Sequence, residues 1–167
     1  MLEHFEPLTA IGMSAPCFVR KVDTTSDCGR DEQIPEHRVP EILQKVLKLD
    51  EGGCLSVYLI ENATSLVRVV FAINEVLRRH VTQKVLLVPL ALDEVDGIQH
   101  DQTDGECLCT FAKKRHYDLR PTEKQRHDLA LLLAQRDRRP HKIDDKLLKR
   151  AKPDLETAGC RSVYTIG

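Results

Sequence analysis

A chain of 167 residues with 41% hydrophobic content can bury one ordinary core, so neither disorder nor a disulfide scaffold is needed to account for folding. With no Trp, four Phe and three Tyr, surface for stacking bases or sugars is scarce, which argues against a single-strand nucleic-acid binder. The net charge of −1 hides a division: Met1 to Phe111 carries ten Lys/Arg against eighteen Asp/Glu, whereas Ala112 to Lys152 carries fourteen against six, a pointer to polyanion contact or a charged partner surface.

The first twenty residues hold Glu3 and Glu6 where a secretory signal has Lys or Arg, and the longest uncharged apolar run is VLLVPLAL, Val85 to Leu92, too short to span a bilayer. The expected location is the cytoplasm, with no membrane partner. The six cysteines are dispersed and read as reduced thiols. CFVRKV, Cys17 to Val22, reads as a short strand followed by a polar loop, and whether residues 1–40 join the sheet is left open.

Pro40 occupies the place of a first helical residue, and Ile42, Leu43, Val46, Leu47 and Leu49 share an arc of a helix that stops at Asp50-Glu51-Gly52-Gly53. CLSVYLI, Cys54 to Ile60, has the length and β-rich composition of a buried strand. LVRVVFAI could form a hairpin arm, but Leu66, Val69, Val70, Ile73, Val76 and Leu77 keep helical spacing, with Arg68, Glu75 and Arg79 on the opposite side. KVLLVPL, Lys84 to Leu90, is the next strand, and the resulting strand, helix, strand unit predicts a parallel, right-handed crossover from Cys54 to Leu90. ALDEVDGIQHDQTDGE reads as a loop and CLCTFAKKRHYDL as a further strand with a turn near Lys113 to Arg115. TEKQRHDLALLLAQRD predicts a helix capped by Thr122. After Pro140, Ile143, Leu147, Leu148 and Ala151 predict one face of a second, shorter helix, with Lys146, Lys149, Arg150 and Lys152 on the other. CRSVYTI predicts a terminal strand over 160–166.

The expected fold is therefore a single α/β domain over 1–167. An acidic, sheet-forming part covers 1–111, a basic helical part 112–152, and the small mixed sheet contains one parallel βαβ crossover.

The two helices between Thr122 and Lys152, followed by a strand, have the order of winged helix-turn-helix DNA readers, and a basic second helix is what groove entry requires. Against specific readout, His141 and Lys142 at its leading end precede Asp144 and Asp145, which a duplex repels. The plainer alternative is a solvated face on a helix docked through Ile143, Leu147 and Leu148. Arg136, Arg138, Arg139, Lys146, Lys149 and Arg150 are the candidate contacts to nucleic acid or to an acidic protein partner, including a second copy in a homodimer.

A second constellation depends on the crossover, because ligands of open parallel sheets collect beyond the carboxyl ends of the strands. Glu61, Asn62, Thr64 and Ser65 follow one strand and Asp93, Glu94 and Asp96 the next. Clustered carboxylates at Glu61, Asp93 and Asp96 would suit Mg²⁺ and phosphoryl transfer. The arrangement is similar to the Toprim nuclease and primase domain. It departs from that pattern where Asn62 replaces the usual Gly and where Asp93-Glu94-Val95-Asp96 replaces Asp-x-Asp, so membership is not assigned. An acidic loop of caps and solubilising groups is the alternative.

Cys107-x-Cys109 with His116 is the tightest His/Cys grouping, but one-residue spacing in a strand sends both thiolates to one side, and no second pair exists to complete a zinc site. The expected function is a non-enzymatic binding or regulatory module with no cofactor. The alternatives are the Mg²⁺-dependent enzyme and an oligomerising interaction protein without a ligand.

Overall fold

The computed structural model describes residues 6–8, 11–22, 35–76, 85–104, 110–135 and 141–143. In chain order the elements are β1 (Glu6–Leu8), β2 (Met13–Ala15), β3 (Cys17–Val22), α1 (Pro35–Lys45), β4 (Leu55–Ile60), α2 (Ala63–Val76), β5 (Val85–Ala91), β6 (Gln99–Gln102), α3 (Thr110–Lys113), β7 (His116–Arg120), α4 (Glu123–Gln135) and β8 (His141–Ile143). Strands β1 and β2 form a two-stranded ribbon, and the remaining six form a sheet of order β6-β7-β4-β3-β5-β8.

Every pairing in that sheet is antiparallel, which corrects the expected parallel crossover. Strands β4 and β5 do not touch. Cys17 lies opposite Ile60 on one side and opposite Ala91 on the other, so β3 is inserted between the two strands that α2 connects. The local pattern of strand, helix, strand was right in type. The rule that such strands become neighbours failed because an earlier segment of the chain had taken the place between them.

Strand alternation distributes the sheet between two layers of helix. Phe18, Val22, Leu55, Val57, Val88, Leu90 and Leu119 enter one core with Val39, Ile42, Val46 and Leu47 around α1 and with Leu129, Ala130, Leu133 and Ala134 of α4. On the other face Cys17, Val19, Ile60 and Leu87 are buried, and α2, with Leu66, Val67, Val69 and Val70 buried, packs on β4 and on α3.

Local chemistry explains the helix boundaries. Thr122 caps α4 as expected: its Oγ1 accepts from Gln125 N at 3.1 Å, and Gln125 Oε1 accepts from Thr122 N at 2.9 Å. Asn62 caps α2 in the same reciprocal way, its Oδ1 accepting from Ser65 N at 2.8 Å while Ser65 Oγ accepts from Asn62 N at 3.0 Å. Helix α1 departs from expectation, beginning at Pro35 and carrying Pro40 in its interior. Proline there removes one backbone donor. Burial of Val39, Ile42 and Val46, together with the Arg38 Nη1 bond to Ala134 O at 2.9 Å, ties the helix to α4 regardless. Gly52 and Gly53 have φ of 96° and 79°, and this left-handed pair turns the chain from α1 into β4.

Three further expectations are corrected. The stretch read wholly as loop contains β6, whose four residues are all exposed, and a 3₁₀ turn at Asp93–Val95. His141–Ile143, expected to open a helix, is an edge strand paired with Val85–Leu87 of β5. Among the described residues of the CLCTFAKKRHYDL stretch, Thr110–Lys113 is helical and His116 onward is strand. The predicted terminal strand 160–166 lies outside the described residues.

Candidate functional site

The six candidate cations, Arg136, Arg138, Arg139, Lys146, Lys149 and Arg150, lie outside the described residues, as do Cys107 and Cys109. Several described cations of the basic segment have partners within the fold. Arg115 Nη2 meets Glu61 Oε1 at 3.5 Å and Arg120 Nε meets Asp101 Oδ2 at 3.4 Å. Lys124 pairs with Asp128 one turn along α4, and Arg126 Nη1 donates to the carbonyls of Leu43 and Leu47 at 3.4 and 3.1 Å. A helix-turn-helix whose second helix starts after Pro140 is ruled out at its first residues, because His141–Ile143 belongs to the sheet.

Glu61 and Asp93 leave the same end of the sheet, since Ile60 and Ala91 flank Cys17 from opposite sides. The strand between them separates their backbones by two strand spacings, about 9.6 Å. Glu61 is engaged by Arg115, and Asp96 N closes the 3₁₀ turn on Asp93 O. Among the described residues no group of three or more His, Cys, Asp and Glu is arranged to hold a metal ion. A crevice of the parallel-sheet kind needs a gap between diverging strands, and here β3 fills it.

The densest polar cluster was not predicted. It lies where β4, β7 and the end of β6 meet, on the face that also carries Cys17 and Val19. Asp118 is directly opposite Ser56 on one side and Asp101 on the other. Its Oδ1 accepts from Ser56 Oγ at 3.4 Å and its Oδ2 from Thr103 Oγ1 at 3.2 Å. Cys54 is close enough for the charge of the same carboxylate to act on its thiol. Asp101, opposite a like charge, is drawn to Arg120 instead.

His116 completes the cluster and is 4% exposed. Its Nδ1 lies 2.8 Å from Thr103 Oγ1 and 3.1 Å from Thr103 O. A carbonyl only accepts, and the threonine hydroxyl proton is committed to Asp118, so the network assigns the imidazole proton to Nδ1. Nε2 then faces Asp118 Oδ1 at 3.9 Å, with the Tyr58 ring edge-on at a centroid distance of 5.2 Å.

These bonds pin strands together. Ser56 gives its proton to a carboxylate, with no imidazole positioned to take it. Burial, followed by the negative charge of Asp118 and the hydrogen bond to it, pushes the Cys54 thiol up, so the reactive thiolate is disfavoured. The alternation of HYDLR, with His116, Asp118 and Arg120 on one face and Tyr117 and Leu119 on the other, was the available signal. Its partners on β4 and beyond β6 come from register alone.

The other unforeseen polar residue is Arg20, 7% exposed in the central strand. Nε donates to Val46 O at 2.8 Å, Nη2 to Lys48 O at 2.7 Å, and Nη1 to Ser56 O at 3.0 Å and Asp50 Oδ2 at 3.4 Å. Its guanidinium thus ties the segment that follows α1 to β4 through their carbonyls. Burial works to raise the Asp50 carboxyl, but the charge of Arg20 and hydrogen bonds from Ser56 N and Arg20 outweigh it and hold the group below its usual value.

No protein-family model matches the chain, and neither a curated protein nor a solved structure does. Among the described residues no helix is long and apolar enough to cross a membrane.

Proposed function

We propose that the chain is a non-enzymatic binding module whose basic stretch from Arg136 to Lys152 contacts the phosphates of nucleic acid. One observation supports this reading above others: eight Lys/Arg stand against three Asp/Glu within those seventeen residues. Before the stretch, Arg115, Arg120, Lys124 and Arg126 are engaged by Glu61, Asp101, Asp128 and the carbonyls of Leu43 and Leu47, and the candidate contacts within it are Arg136, Arg138, Arg139, Lys146, Lys149 and Arg150. Few aromatic rings are available to stack unpaired bases, which favours a duplex held by its backbone over a single strand. Contact through phosphates, without base edges, implies little discrimination among sequences.

The test is fluorescence anisotropy with a labelled random-sequence duplex. The wild-type chain is compared with a variant in which the six cations become Ala or Gln. Binding by the first and its loss in the second, with unfolding midpoints matched, is the expected result. Equal binding by both chains would overturn the assignment of the contact to these six cations, and no binding by either while an acidic polypeptide is retained would replace nucleic acid with an acidic protein surface as the partner class.

A further inference from the structure

We draw no further inference here: the strongest candidate, the outer edge of strand β6 beside the Asp118 cluster, has Asp101 and Gln102 already engaged by Arg120 and the Lys114 carbonyl, and nothing in the structure shows what covers it.

Discussion

Arg20 shows how one side chain can hold elements that propensity alone would not join. Removing it leaves the carbonyls of Val46, Lys48 and Ser56 without their guanidinium donors in a closed part of the molecule. Arg20→Met is expected to cost about 3–5 kcal/mol, within the range for breaking a buried charged network. Arg20→Lys is expected to recover only a fraction, because an ammonium cannot span the same acceptors. Urea unfolding of the three chains checks both statements. Asp50, the partner of Arg20, supplies a pH dependence. Its carboxyl titrates lower in the folded chain than in the unfolded one, so its stabilisation is full above the ordinary carboxylate value of about 3.9 and is lost as pH falls through the folded value. Asp50→Asn should therefore flatten the acid limb of stability against pH while leaving the shape of the curve above pH 6 unchanged. Cys54 titrates in the opposite sense: its contribution is intact below the unfolded thiol value of about 8.5 and declines as pH rises further. In the native protein it should react with iodoacetamide at pH 8 far more slowly than after denaturation, and equal rates would contradict its burial beside Asp118.

Helices and strands were unequally legible, for physical reasons. The spacing of Leu66, Val69 and Val70 identified α2 despite its β-branched residues, because burial on one face outweighs a small propensity penalty. Thr122 and Gln125 announced α4 through a local motif that needs no tertiary information. The two strands of the six-stranded sheet that escaped notice have little to mark them: Gln99–Gln102 contains no apolar residue, and His141–Ile143 has one. Both are edges, where one partner's backbone decides the conformation. Pro40 misled in the other direction, since a proline that fits a helix start is found one and a half turns inside α1. Pro40 is exposed, so Pro40→Ala restores a backbone donor without opening a cavity. The substitution should stabilise the fold by about 1–2 kcal/mol, the interior-proline penalty reduced by the greater freedom gained in the unfolded chain. A lower midpoint in thermal unfolding would show that the ring is needed where α1 meets its neighbours.

At the scale of the whole molecule, the order of the sheet was hidden because it depends on which segment reaches the centre. CFVRKV was recognisable as a strand, but whether it joins the sheet was open from its pattern, and the carbonyls around Arg20 explain how a strand with a buried charge can be central. The Asp118 cluster was equally hidden, because Cys54, Ser56, Thr103, His116 and Asp118 meet through strand register across up to 64 positions of sequence. Charge distribution was legible from the start, being a property of composition. The fold then accounts for part of it, pairing Arg115 and Arg120 with Glu61 and Asp101 of the acidic part over 1–111.

The proposed contact with nucleic acid has a quantitative signature in the dependence of affinity on salt. Six cations displacing counterions from a duplex predict that log K falls against log salt with a slope of roughly −5. Replacing Arg136, Arg138 and Arg139 should bring that slope about halfway to zero, with affinity lost alike for unrelated duplex sequences. A slope near zero, or a steep slope that these replacements leave unchanged, would contradict the assignment of phosphate contact to this stretch.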